Sequence, residues 1–264
     1  MAIALHQDLY IPSQSPLHRW AVCPKLLSLF ALMFAVALLR QLVLVPVALA
    51  VVLGLYGLSG LPLGYLLRRL PYPGLFIVAT VAVLPLTAGS TILWQWGWLA
   101  LRLEGLQTAG LVAGRFLAIL MTGFILLGTT PFLDILKALR RLGIPSLLTD
   151  MALLTYRYLY DISAQLATMQ QAMGLRGYGH RPQTTRRQWS WLASLLGSLL
   201  LRSYERSQRI YKAMGLRGYG QRPLQRPTDG PPPDAVTPWL TTMTSAIAIA
   251  LVIAEVFLTT QQLF

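Results

Sequence analysis

Apolar positions along this chain come first in unbroken runs and later in stripes. Residues 26–39 and 42–58 are two apolar runs separated only by Arg40 and Gln41. Each is slightly short of the roughly 20 residues that cross a hydrocarbon core perpendicularly. One continuous helix would carry Arg40 to the wrong depth, so the pattern predicts a helical hairpin whose tight turn exposes Arg40. The alternative is a single long tilted helix with a snorkelling arginine. A connection punctuated by Gly60, Pro62, Gly64, Pro71 and Pro73 follows. A third run then covers about 72–88, with Pro85 near its end as a kink that membrane helices tolerate. After Trp94, Trp96 and Trp98, whose spacing suits an interfacial aromatic belt, a fourth run covers about 108–129 and contains Arg115. A fifth, at about 237–258, carries Glu255 near its outer end.

Between the fourth and fifth runs the periodicity changes. The stretch PFLDILKALRRLGIP predicts a short amphipathic helix resting at a membrane surface. Phe132, Ile135, Leu136 and Leu139 lie on one side, and Lys137, Arg140 and Arg141 lie around the other. Gly143 and Pro145 end it. From about Ser146 a long helix begins whose apolar runs are interrupted by Asp150, Arg157 and Asp161, too often to span a membrane. It carries a stripe at 3,4 spacing: Leu148, Met151, Thr155, Tyr158, Ile162, Gln165, Met169, Ala172, Arg176. The next helix repeats the pattern at Leu196, Leu199, Ser203, Ser207, Ile210, Met214 and Arg217. Such seams pack helix against helix. The proline-rich stretch that follows reads as a linker.

These patterns predict an all-α polytopic membrane protein with five spans. The divisions are an N-terminal cytoplasmic segment (1–25), transmembrane helices 1–4 (26–130), long cytoplasmic helices (131–223), a Pro-rich linker (224–236) and a C-terminal transmembrane helix (237–264).

Composition strengthens this picture. With 55% apolar and 12% charged residues and a mean hydropathy of +0.56, the chain departs far from a soluble protein. The net charge of +13 suggests nucleic-acid binding until its distribution is seen. Fifteen of the 22 Lys and Arg lie between Lys137 and Arg226 with only Asp150, Asp161 and Glu205 among them, so that segment carries +12. Basic residues stay on the cytoplasmic side of a membrane and are attracted to anionic headgroups or to acidic grooves on a partner. With Arg68 and Arg69 as further inside markers, the five spans place the N-terminus in the cytoplasm and the C-terminus outside. The partners expected are lipid and protein, with no nucleic acid.

Residues 1–25 show no cleavable signal pattern, and Pro12, Pro16 and Pro24 break any helix there, so the first apolar run reads as a retained span. One cysteine, Cys23, leaves no internal disulfide and no thiolate metal site, and His6, His18 and His180 are isolated. There is no P-loop, dinucleotide fingerprint, metal-ligand cluster or nucleophile elbow. No catalytic residue, cofactor or metal is therefore expected. Arg115 is a possible intramembrane functional residue by the cost of burying it. It is also within snorkelling range of the outer interface, and the sequence leaves both roles open.

The most distinctive feature is a phrase said twice. Residues 172–182 read AMGLRGYGHRP and residues 213–223 read AMGLRGYGQRP, identical at ten of eleven positions and 41 residues apart. Each falls at the far end of one of the two striped helices, with Arg176 or Arg217 in the last turn. Gly177 or Gly218 follows, where a left-handed helix cap favours a residue without a Cβ. Two copies of a surface phrase centred on arginine predict two similar contacts with two similar partners. A guanidinium fork at a helix C-terminus suits a carboxylate in a partner's groove, and Tyr178 and Tyr219 are candidate aromatic anchors beside it.

A group of short spans, a cytoplasmic stretch of long helices and two Ala-Met-x-x-Arg-Gly-Tyr phrases resemble the transmembrane component of energy-coupling-factor (ECF) importers of vitamins and metal ions. This is the EcfT/CbiQ/BioN family, and the resemblance runs from about Lys25 to the last span. It implies two coupling helices crossing in an X-like arrangement, each ending in an Arg docked in a groove of one of two ABC-type ATPase subunits. It also implies a substrate-binding S component packed on the hydrophobic faces, and a plasma-membrane (inner-membrane) location. On this resemblance the coupling residues are Ala172, Leu175, Arg176, Gly177 and Tyr178 in the first phrase and Ala213, Leu216, Arg217, Gly218 and Tyr219 in the second. Leu175 and Leu216 stand where the family commonly has Ala, a departure that bears on docking geometry. The expected function is that of a non-enzymatic subunit linking ATP hydrolysis to uptake. Two alternatives are an integral-membrane enzyme acting on a lipid or isoprenoid phosphate, with the basic segment holding phosphate, and a membrane-anchored scaffold.

Overall fold

The computed structural model describes residues 11, 13, 15–87, 92–96, 99–177, 185–220 and 236–261. In chain order the helices are α1 (Val22–Leu38), α2 (Leu44–Ser59), α3 (Leu63–Arg69), α4 (Pro71–Thr87), α5 (Leu103–Thr129), α6 (Phe132–Arg141), α7 (Ser146–Leu175), α8 (Thr185–Leu216) and α9 (Val236–Gln261). The fold is all-α, with a two-stranded antiparallel hairpin, β1 (Ile92–Trp96) and β2 (Leu99–Arg102), between α4 and α5. Trp96 pairs with Leu99 and Ile92 with Arg102, so Trp94 and Trp96 stand in a strand. Trp98 and the side chains of Trp94 and Trp96 lie outside the described residues, as does any belt they form. The chain divides inside α6 into two compact units, one of residues 9–138 and 231–264 and the other centred on residues 139–230.

In the apolar unit, α5 and α9 are long and apolar enough to cross a membrane, at mean hydropathies of 2.0 and 1.9. At 1.5 Å per residue α5 reaches about 40 Å and α1 about 26 Å, against a hydrocarbon core of about 30 Å. The Arg40 turn is real: α1 and α2 are separate helices joined through an exposed Arg40. They do not form a packed hairpin, because α1 lies chiefly on α9 and α5, and α2 chiefly on α5. The approach of α5 to the α2 segment has a steric basis in α5. A Cβ at Gly114 would run into Val45, and one at Gly128 would press on Leu61 at 3.0 Å, so glycines let α5 approach the α2 segment closely. Leu29, Leu32, Val36, Val52, Met121, Ile125 and Leu251 fill the core, while Phe34, Val43, Leu75 and Phe257 face outward. Outward apolar side chains of this size suit lipid. Two buried hydroxyls are satisfied within their own helices, Thr122 on the Ala118 carbonyl and Thr244 on that of Leu240.

Several sequence expectations shift. The connection after Gly60 contains a helix, α3, where the Arg69 guanidinium stacks 4.5 Å over the Tyr65 ring. Pro24, expected to break a helix, stands in the first turn of α1, where an absent N–H costs nothing. α5 starts five residues ahead of the expected span, with Glu104 in its first turn, favourable to the helix dipole. The end of the N-terminal segment is docked: Leu17 and Trp20 are buried, and the Ile11 N–H donates to the Gly128 carbonyl at 3.0 Å. His18 Nε2 donates to the Ile11 carbonyl at 3.0 Å, so Nδ1 accepts from the Ser15 hydroxyl at 2.7 Å. Burial pushes the His18 imidazole below its ordinary value, the Ile11 bond opposing and Lys25 adding to the shift.

Candidate functional site: two arginine tips

The basic unit consists mainly of α7 and α8. In α6, which leads into it, Ile135, Leu136 and Ala138 are buried whereas Phe132 is exposed. α6 ends in a glycine cap: the Gly143 N–H reaches the Arg140 carbonyl at 3.3 Å, the Ile144 N–H reaches that of Leu139 at 3.2 Å, and Gly143 has φ +101°. Arg140, in the last turn of α6, donates to Asp150 Oδ1 in α7 at 3.2 Å.

α7 and α8 run antiparallel. Arg206 of α8 meets Asp161 of α7 at 3.3 Å, and Tyr219 beyond α8 meets Asp150 near the start of α7 at 2.9 Å. At the other end, Met169, Ala172 and Arg176 share a cavity of about 390 Å³ with Ser194, Leu195, Ser198 and Arg202. The seams are those of the sequence in part. Tyr158, Ile162, Gln165 and Met169 are half-buried, but Leu148, Met151 and Thr155 are exposed. On α8 the covered positions are Leu195, Leu199, Ser203, Arg206, Ile210 and Met214, so Leu196 and Ser207 turn outward. The face is shifted by one residue at those two points because Leu195 and Arg206 are the side chains that face α7.

Both phrases adopt the same helix ending. The Arg176 N–H bonds to the carbonyls of Ala172 and Met173, and the Arg217 N–H to those of Ala213 and Met214. Gly177 has φ +82° and donates to Gly174; Gly218 has φ +76° and donates to Gly215, both at 3.0 Å. In the second copy the Tyr219 N–H closes the cap on the Met214 carbonyl at 3.0 Å. These left-handed glycines end each helix immediately after its arginine. Arg176 and Arg217 are exposed, and Leu175 and Leu216 beside them are each 91% exposed. Antiparallel packing puts the two tips at opposite ends of the pair, roughly 40 Å apart along the axis at 1.5 Å per residue. Equivalent places on two similar helices thus become two separate stations. Tyr178 lies outside the described residues. Tyr219 keeps 42% of its surface exposed, but its hydroxyl is engaged by Asp150, a hydrogen bond that raises the phenol above its ordinary value.

Arg115 belongs to the apolar unit. Its guanidinium donates to the Ala37 carbonyl at 3.3 Å, and Glu255 and Arg40 lie within electrostatic reach. Glu255, 7% exposed, accepts the Arg40 backbone N–H on Oε1 at 2.9 Å. The three residues tie α5 and α9 to the α1–α2 turn. Sequence reading noted Glu255 but not this pairing; the signal was a single acid in the last apolar run. It missed Lys25, 1% exposed, whose ammonium caps the Leu17 and Thr129 carbonyls at 2.9 and 3.4 Å.

An all-α membrane protein that presents two exposed arginines, each followed by a left-handed glycine, is the class that the fold and these sites define. The profile of the family described as "Cobalt transport protein" (CbiQ) matches residues 13–228. The chain is 35% identical over 139 residues to the cobalt transport protein CbiQ of Rhodobacter capsulatus, covering 50% of this chain and 55% of that protein. It is 34% identical over 137 residues to the energy-coupling factor transporter transmembrane protein EcfT of Brevibacillus brevis, covering 50% and 51%. Against EcfT of Lacticaseibacillus paracasei it is 28% identical over 178 residues, covering 63% and 67%. The chain thus spans about half the length of the first two of these relatives. It belongs to the CbiQ/EcfT family of ECF transporter transmembrane components.

Proposed function

We propose that this chain is the coupling subunit of an ECF-type importer. Arg176 docks on one ABC-type ATPase subunit and Arg217 on the other, and the α7–α8 pair passes their ATP-driven movement to the apolar unit. An S component packed on that unit carries the substrate, a vitamin or a metal ion; cobalt is the cargo in the name of two relatives. The chain itself performs no catalysis. It crosses the plasma membrane five times, through α1, α2, α4, α5 and α9, with the N-terminus and the basic unit in the cytoplasm. The observation that carries this reading is the pair of exposed arginines, each followed by a left-handed glycine, at opposite ends of one antiparallel helix pair, which suits two like sockets held apart. The test is co-purification and uptake with the combined Arg176→Ala and Arg217→Ala variant. Loss of both ATPases and of uptake is expected; retention of both overturns the proposal.

A further inference from the structure

The second tip is held by more than its own helix. Asp150, in the second turn of α7, is the meeting point of three elements. Its Oδ1 accepts from Arg140 at the end of α6, and its Oδ2 accepts from the Tyr219 hydroxyl of the second phrase. The Arg140 and Asp150 side chains are only 21% and 16% exposed, so the carboxylate is shielded and depends on these donors. Hydrogen bonds to an ionised acceptor are shorter and stronger than neutral ones. Among the described residues of the first phrase, 172–177, no side-chain hydrogen bond leads to α6 or to any other element. The second tip is therefore fastened to the end of α6 through Asp150.

Resting on the assignment of Arg217 to an ATPase contact, we propose that Asp150 is a positioning residue: its carboxylate latches the second tip to the end of α6 and holds that docking point in place. Tyr219 is the detachable half of the latch. Rotation of its hydroxyl away from Asp150 frees residues 217–220 while the Arg140–Asp150 pair stays closed. The latch also gives movement at the Arg217 socket a direct route to the end of α6.

The test uses the full chain with Cys23→Ser and two readouts. In the first, spin labels at Leu142→Cys and Leu216→Cys report the width of the distance distribution between the α6 end and the second tip. In the second, a thiol-directed photo-cross-linker at Leu175→Cys or Leu216→Cys captures co-expressed ATPase. Tyr219→Phe removes one hydroxyl from a half-exposed ring and is the mild variant; Asp150→Asn is the stronger one. Both are expected to broaden the distance distribution. Both should lower capture at position 216 about tenfold, the scale of one charge-assisted hydrogen bond, and leave capture at position 175 unchanged. An unaltered distribution in both variants overturns the latch, as does an equal fall in capture at the two positions. If neither position captures an ATPase in the parent chain, the docking assignment fails instead, and the distance widths alone decide whether the latch exists.

Discussion

Removing the tip arginines one at a time and together tests whether the antiparallel arrangement of α7 and α8 matters to function. Truncating one charge at a desolvated interface costs about 2 to 5 kcal/mol, or about 30-fold to several thousandfold in affinity. Sites more than about 10 Å apart with no shared contacts add within about 0.5 kcal/mol. The tips lie roughly 40 Å apart along the helix pair, counting 1.5 Å per residue. Each guanidinium is exposed, and no hydrogen bond links the two phrases among the described residues. Arg176→Ala and Arg217→Ala should therefore each weaken binding of the ATPase pair, and the combined variant should lose the sum, about 4 to 10 kcal/mol. The assay is equilibrium binding of the purified ATPases to the chain in nanodiscs at one fixed ionic strength, since salt screens such contacts. A combined loss no larger than that of either single variant would mean that the two arginines serve one socket, and would refute the two-station reasoning.

Other perturbations separate local from tertiary causes. Gly177→Ala and Gly218→Ala, at φ +82° and +76° with open space around each, should each cost about 1 to 2 kcal/mol of helix-end stability, read as faster amide exchange in the last turn of α7 or α8. Gly114→Leu should destabilise the apolar unit by at least about 1 to 3 kcal/mol, seen as a lower unfolding temperature in detergent, because its Cβ meets Val45. His18 gives a pH dependence. Its folded-state pKa lies below the ordinary 6.5, so the folded form binds fewer protons than the unfolded one. Stability of the docked N-terminal segment should be full above about pH 6.5 and fall as pH drops through that value toward the lower folded pKa, with Trp20 fluorescence as the probe. His18→Gln should flatten the profile.

What the sequence by itself determined is what neighbouring residues decide. Apolar runs, glycine-capped helix ends and the doubled phrase are local signals, and the helices and the caps at Gly143, Gly177 and Gly218 appear where those signals stand. The family was legible for the same reason, since the repeated phrase is contiguous. Tertiary structure decided which distant groups meet. Asp150 and Tyr219 are 69 positions apart, Lys25 and Thr129 104, and Arg40 and Glu255 215. No periodicity reaches over such intervals. The same holds for the direction of α8 against α7: two similarly striped helices can pack either way, and it is the Arg206–Asp161 and Tyr219–Asp150 contacts and the cavity beside Arg176 that show the antiparallel choice. That choice turns one phrase written twice into two stations at opposite ends, because a helix carries its C-terminal arginine wherever its axis points.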